Sequence, residues 1–253
     1  MQKTLSGKAV LVTGGSRGLG ATLAATFADF GADVAISYAA SAGKAADVVE
    51  GLKAKGVRAI AVQSEQADLT SAKPLIDQVI AEFGKLDILV NNAGIAVQGH
   101  NVDDPNLDEQ AYNQQLLVNV LGSIANTRAA ASKLTDGGRI IFISSRLGTN
   151  VSFQGVVDYA GSMAALVGYA KGIARDLGPR NITVNVVQPG IMPTDMAADV
   201  ASELPHRDAI LDLHPIRRSA TTEEVASLVC FLAGPSAGYI TGEAINVAGG
   251  VAI

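Results

Sequence analysis

Short apolar runs alternate with longer amphipathic stretches from one end of the chain to the other. The runs are rich in β-branched residues. They read as strands over Ala9–Thr13, Val34–Ser37, Ala59–Gln63, Ile88–Asn91, Arg139–Ser144, Thr183–Gln188 and Ala244–Val247. Between them, helical periodicity predicts helices over 18–30, 43–55, 71–83, 107–134, 158–177 and 222–233. Strands that are apolar at successive positions, without alternation, are covered on both faces, as in a parallel sheet. Repeated βα units of this kind predict an α/β fold: a doubly wound, Rossmann-type parallel seven-stranded sheet with helices on both faces. No proline-rich linker or charge block divides the chain, so residues 1–253 are expected to form a single domain. The rhythm breaks over 191–221, where Pro193, Pro205 and Pro215 surround a short amphipathic piece. An insertion of that size late in an α/β domain is expected to be a substrate flap.

Composition narrows the setting. With 19 basic and 24 acidic residues the net charge is −5, which gives no electrostatic reason for a nucleic-acid or anionic-membrane partner. Cys230 is the single cysteine and cannot form an internal disulfide; its apolar neighbours Leu228 to Leu232 mark it as a core residue. The sequence after Met1 has no signal-peptide apolar stretch, and no run is long enough to span a bilayer, so a cytoplasmic protein is expected. His100, His206 and His214 are dispersed, which suits surface or loop histidines, and no metal site is expected.

The first strand runs straight into Thr13-Gly14-Gly15-Ser16-Arg17-Gly18-Leu19-Gly20 and an Ala-rich helix. Glycines there let backbone N–H groups approach a pyrophosphate, and the helix N-terminus adds a favourable dipole. A site for NAD usually carries an acid at the end of the second strand, against the ribose 2′-hydroxyl. Here that strand ends Ser37-Tyr38-Ala39-Ala40-Ser41, without an acid. The guanidinium of Arg17 and the hydroxyls of Ser37, Tyr38 and Ser41 suit a 2′-phosphate, so NADP(H) is the expected cofactor. Further on, Asn91-Asn92-Ala93-Gly94 ends an apolar strand. Asn119 lies in an apolar helical stretch, where an unpaired amide costs about 1–3 kcal/mol, so it must have partners. Ser144 and Ser145 end the central strand, at the edge where open α/β sheets bind ligands.

With these residues in view, the chain resembles the short-chain dehydrogenase/reductase family over nearly its whole length. Thr13–Gly20 matches that family's cofactor turn, and Asn91–Gly94 matches its Asn-Asn-Ala-Gly signature. Asn119, Ser145 and Tyr159 fall where the family places its catalytic asparagine, serine and tyrosine. Pro189-Gly190-Ile191-Met192-Pro193-Thr194 matches the segment that meets the nicotinamide end, and Tyr239-Ile240-Thr241-Gly242 matches the turn before the last strand. The resemblance implies Tyr159 as acid/base, Ser145 holding the substrate oxygen and Asn119 anchoring a water relay. It also implies that Glu65, Gln66, Asn92, Ala93, Gly94, Tyr159, Pro189, Gly190, Ile191 and Thr194 join the glycine turn around the cofactor. A homotetramer is implied too, and small residues in 107–134 and 158–177, with the apolar end Ala248–Ile253, suit close packing between copies.

One departure matters. The family motif is Tyr-x-x-x-Lys, and this chain reads Tyr159-Ala160-Gly161-Ser162-Met163. Residues four apart share a helix face, so a thioether stands where an ammonium would hold the ribose and lower the tyrosine pKa. Lys171 lies two turns further on, and Arg146 follows Ser145 directly. A tyrosine without a cation, of pKa about 10, stays protonated at neutral pH, which suits carbonyl reduction better than alcohol oxidation. The expected activity is therefore an NADPH-dependent reduction of a small carbonyl, 3-oxoacyl thioesters included. Leu204, Ile210, Leu211, Leu213 and Ile216 in the flap favour an apolar substrate. The competing reading is a catalytically silent NADP(H)-binding sensor or scaffold, with Met163 as its mark.

Overall fold

A computed structural model describes residues 3–196 and 207–251. Leu204, Pro205 and His206 of the expected flap, together with Ala252 and Ile253, lie outside the described residues. The strands are β1 (Ala9–Val12), β2 (Asp33–Tyr38), β3 (Ala59–Gln63), β4 (Leu86–Asn91), β5 (Leu134–Ile143), β6 (Thr183–Pro189) and β7 (Ala244–Val247). They form one seven-stranded sheet in the order β3-β2-β1-β4-β5-β6-β7, with every neighbouring pair parallel. The helices are α1 (Gly18–Asp29), α2 (Ala42–Ala54), α3 (Ala72–Phe83), α4 (Glu109–Leu116), α5 (Ser123–Ala131), α6 (Val157–Leu177), α7 (Arg207–Leu211) and α8 (Thr222–Ala233). The chain winds outward from β1 to β3, then returns to β4 beside β1 and winds the other way. That reversal opens a crevice at the carboxyl ends of β1 and β4.

Successive residues of one strand serve opposite faces. Val10 and Val12 of β1 and Ile36 of β2 pack with Leu23 and Phe27 of α1 and Val225 and Val229 of α8. Leu11, Leu89 and Phe142 instead meet Ile76 and Val79 of α3, Ala130 of α5, and Leu166 and Ala170 of α6. Both faces of the sheet are thus dry, and the strands have no use for polar alternation. Helix α8 begins where the pattern predicts because of a capping box: Thr221 Oγ1 accepts from Glu224 N, and Glu224 accepts from Thr221 N.

The helix expected over 107–134 is broken. It runs as α4, a π-helical turn over Leu117–Gly122 and α5, and the chain then enters β5 at Leu134 rather than at Arg139. The early strand start follows from pairing of Leu134 with Leu86, beside a register shift between Leu86 and Ile88. His214 also departs from expectation: it is buried, with Nδ1 2.8 Å from the Ile210 carbonyl oxygen. Cys230 is buried in the core as expected, and that burial pushes its thiol pKa up. In the described part of the 191–221 stretch Ile210 is buried, whereas Leu213 and Ile216 are exposed.

At the amino end of the sheet a buried carboxylate ties three segments together. Asp87 accepts from Ala9 N at 2.9 Å and Thr135 Oγ1 at 2.9 Å, with Lys85 Nζ at 2.9 Å and Lys8 Nζ at 3.3 Å. Burial pushes its pKa up, but the hydrogen bonds from Ala9, Lys85 and Thr135, with the Lys8 charge, outweigh it, and the net shift is downward. A carboxyl whose folded pKa is lowered stabilises the fold above its unfolded pKa of about 3.9. That stabilisation is lost as pH falls through the folded value. Asp87→Ala should therefore lower unfolding free energy by about 2–4 kcal/mol at pH 7. In urea melts the deficit should shrink steadily below about pH 4.

Candidate active site

A cleft of about 360 Å³ lies at the carboxyl ends of β1, β2, β4 and β5. Thr13 fastens its floor. Its Oγ1 accepts from both Asn92 N and Ala93 N at 3.0 Å, while Asn92 Nδ2 donates back to Thr13 O at 2.9 Å and Gly14 O at 3.3 Å. Gly14 has φ +65°, and a Cβ there would lie 2.9 Å from Ala93 Cα. A Cβ on Gly20 would lie 2.2 Å from Gly14 O, so only glycine lets α1 start so close to its own turn. Ser37 is buried, and its Oγ accepts from Gly14 N at 3.3 Å, which pins the turn to β2.

Two helices open on this cleft without side-chain caps. Arg17 at the N-cap of α1 and Ser41 at the N-cap of α2 make no capping bond, and neither first turn carries an acid. Their first N–H groups therefore suit anions. Arg17 Nη1 lies 3.6 Å and Lys44 Nζ 3.8 Å from the same oxygen, Asp195 Oδ2. Three exposed side chains thus converge beside Tyr38 and Ser41, and the two cations meet at one negative oxygen. Lys44 went unrecognised in the sequence, although a basic residue in the first turn after β2 is a readable signal. Ser16, Gly18, Leu19, Glu65, Gln66, Gly94, Pro189 and Thr194 also border the cleft. Gly190 and Ile191 do not. Gly190 N donates to Val247 O and Ile191 O accepts from Ala220 N, so both turn toward a neighbouring cavity lined by His214 and Asn246.

The far end of the cleft gathers the remaining residues. Asn119 sits in the π-helical turn and clamps Ile95 from both sides: Oδ1 accepts from Ile95 N at 2.8 Å, and Nδ2 donates to Ile95 O at 2.9 Å. Its Nδ2 also lies 3.3 Å from Ser162 Oγ, which donates to Tyr159 O at 2.7 Å. Ser145 lies two residues beyond the end of β5 and is hydrogen-bonded to Tyr159, while Ser144 before it borders the cleft. The Ser145 carbonyl accepts from Gln188 Nε2 at 2.9 Å, a fully buried side chain of β6. Burial pushes the Tyr159 phenol up to about 12, and a hydrogen bond with Ser145 pulls against it. Met163 is buried among Leu166 and Ala170 and borders the cleft, so an apolar group occupies the position four residues after Tyr159. Arg146 does not take its place. Its Nη1 donates to Ser152 Oγ at 2.7 Å and Asn150 O at 3.3 Å, and its Cζ lies 5.7 Å from the centroid of the Phe153 ring.

Comparison with known proteins identifies the class. The family model described as enoyl-(acyl carrier protein) reductase matches residues 14–252. A 3-oxoacyl-(acyl-carrier-protein) reductase of Staphylococcus aureus is 38% identical over 246 residues, covering 96% of this chain and 98% of its own. The cyclic-di-GMP-binding biofilm dispersal mediator protein of Escherichia coli K12 is 40% identical over 237 residues, covering 94% of each. A short-chain dehydrogenase from Burkholderia cenocepacia J2315, crystallised with NADP, is 44% identical with a TM-score of 0.92, over 99% of this chain and 100% of that one. The chain belongs to the short-chain dehydrogenase/reductase family.

The Asn119 clamp makes a structural demand that is separate from any chemistry. Asn119→Ala leaves the Ile95 N–H and carbonyl without their partner, and should cost about 2–4 kcal/mol of unfolding free energy. Chemical denaturation of the purified variant measures it.

Proposed function

We propose that this chain is an NADPH-dependent carbonyl reductase in which Tyr159 donates the proton and Ser145 holds the substrate oxygen. The observation that carries the reading is the phenol pushed up to about 12 beside a serine hydroxyl, with Met163 where a cation would stand. Bound NADP(H) supplies or accepts the hydride. The residues fit it: two uncapped helix N-termini and the Arg17–Lys44 pair suit its phosphates, β2 itself ends without an acid, and the exposed Asp195 carboxylate between the two cations would have to give way to a 2′-phosphate. Asn119 positions Ile95 and the turn after β4, and is proposed to anchor a proton relay. The reading extends to a single catalytic domain with a flap near 191–221, a small apolar carbonyl substrate, a cytoplasmic setting and a homotetramer. Exposed Leu116, Leu121, Phe231 and Tyr239 support the last. Among the described residues no helix is long and apolar enough to cross a membrane.

The protonation state sets a direction. With a pKa of about 12, only about one Tyr159 in 10⁵ is ionised at pH 7. Reduction needs the protonated phenol and is served across the neutral range, whereas oxidation needs the phenolate. Oxidation of the corresponding alcohol should rise about tenfold per pH unit from pH 7 to 10, while reduction loses nothing to Tyr159 ionisation there. Met163→Lys should bring the oxidative rise toward neutral pH. Initial rates in both directions test this, and a shared neutral optimum in the unmodified chain would refute it.

The silent-binder reading rests on the same Met163, and the Escherichia coli relative is named for cyclic-di-GMP binding and biofilm dispersal rather than for catalysis. A panel of aryl ketones, keto esters and acetoacetyl thioesters separates the two. Absence of turnover in the unmodified chain, with activity in Met163→Lys, favours the binder. Cofactor choice is a separate matter. Arg17→Ala and Lys44→Ala should each weaken NADPH about three- to tenfold and leave NADH unchanged, as read by equilibrium titration.

A further inference from the structure

The main-chain ladder between β5 and β6 stops just short of the serine that is hydrogen-bonded to Tyr159. Ser144 N donates to Val187 O at 2.9 Å, which is its last rung. The next donor on β6 in a parallel ladder would be the N–H of residue 189, and Pro189 has none. A side chain takes over there. Gln188 is fully buried, and its Nε2 donates to Ser145 O at 2.9 Å. Thr149 Oγ1 lies 3.3 Å from Gln188 Oε1 and 3.3 Å from Arg146 O, so its one hydrogen is shared between two acceptors. The amide can face only this way. The Ser145 carbonyl accepts and cannot donate, so nitrogen must meet it, and oxygen is left for the Thr149 hydroxyl.

Between Ser145 and Thr149 the chain makes a 3₁₀ turn over Arg146–Gly148. The turn closes on itself: Gly148 N donates to Ser145 O at 2.9 Å, and Leu147 N donates to Ser145 Oγ at 3.2 Å. These bonds are local, so they set the shape of the turn and not its tilt against the sheet. One side of the turn rests on α6. A Cβ on Gly148 would lie 2.8 Å from the Met163 carbonyl carbon, and Ser144 Oγ donates to Met163 O at 2.9 Å. The side facing β6 is held at both ends by the Gln188 amide, through Ser145 and through Thr149. The direction of the Ser145 hydroxyl, and with it the hydrogen bond to Tyr159, follows from that tilt.

We propose that Gln188 is a positioning residue for the reaction, acting through Ser145 to keep the serine hydroxyl within hydrogen-bond reach of the Tyr159 phenol. This rests on the carbonyl reductase reading, and adds to it a side chain of β6 that does not border the cleft. Ser145 and Tyr159 meet the substrate oxygen; Gln188 fixes how they meet each other.

Gln188→Met keeps the length of the side chain and removes the amide. With whichever aryl ketone, keto ester or acetoacetyl thioester the unmodified chain reduces fastest, kcat should fall about tenfold to a hundredfold, while KM changes less than about threefold. Ser145→Ala and the double variant complete a cycle. Because Gln188 works through the serine, Gln188→Met should slow Ser145→Ala less than about twofold further. An unchanged kcat in Gln188→Met, a loss of equal size in both backgrounds, or a KM that rises as much as kcat falls overturns the proposal. Gln188→Asn, which keeps the amide but shortens its reach, repeats the cycle if Gln188→Met fails to fold. Crystal structures of the unmodified chain and the variant read the same contact without turnover. The Ser145–Tyr159 hydrogen bond should be present in the first and absent from the second, and its retention in the variant overturns the proposal. If no carbonyl is turned over, the reductase reading fails, and this pair of structures decides the role of Gln188 alone.

Discussion

The hydroxyl of Thr13 holds the two halves of the sheet together at the point where they part. An oxygen with two lone pairs can accept two N–H groups, and Thr13 Oγ1 takes those of Asn92 and Ala93. Asn92 returns its own amide to the backbone of Thr13 and Gly14, so the ends of β1 and β4 form one rigid unit. Much of the site is built on that unit. The glycine turn can pass Ala93 only because residue 14 has no side chain, and Asn119 reaches Ile95 because the chain after β4 is already fixed. Ser37 braces the same turn from β2. The floor of the cleft is thus set by backbone pairing and short polar side chains, without dependence on long flexible ones.

Much of this was legible in the sequence for simple reasons. Strands buried on both faces are apolar throughout, and Leu11 beside Val10 and Val12 announces two covered faces without any knowledge of which helix covers which. The strand order was not legible, because periodicity carries no information about neighbours. The long helix over 107–134 failed for a related reason. Its sequence keeps a helical period, but the π-helical turn answers to Asn119 meeting Ile95, 24 residues earlier, and β5 starts early because Leu134 pairs with Leu86. Both are tertiary demands that override a local preference.

The candidate site was legible where it is made of glycines and strand-end polar residues, and less so where side chains choose a direction. Ser37 was expected to donate to a phosphate; it borders the cleft with its oxygen accepting from Gly14 N, which leaves its hydroxyl hydrogen to donate. Asn92 braces the turn with its amide as well as bordering the cleft. Lys44 and Asp195 lie 151 positions apart in the sequence and meet only through the fold, so their convergence with Arg17 had no linear signature. Gly190 and Ile191 belong to a matching segment, yet backbone bonds to Val247 and Ala220 turn them to the other side.

In the segment from Ser145 to Met163 a thioether, not a cation, stands four residues after the phenol. A cation four residues after Tyr159 would favour its ionised form, so the hydroxyl would donate less readily and accept more readily. Met163 removes that bias, and burial adds to the effect by disfavouring charge, which keeps the proton on Tyr159. The positive charge in this segment is carried instead by Arg146, held by Ser152 and the Asn150 carbonyl over Phe153 rather than against the phenol. Burial disfavours the charge of this guanidinium, and the Ser152 and Asn150 acceptors with the Phe153 ring offset part of that cost. The proposed donor role of the phenol thus rests on the thioether, which leaves it neutral, while the charge of the arginine is spent on bracing the loop between Ser145 and Tyr159.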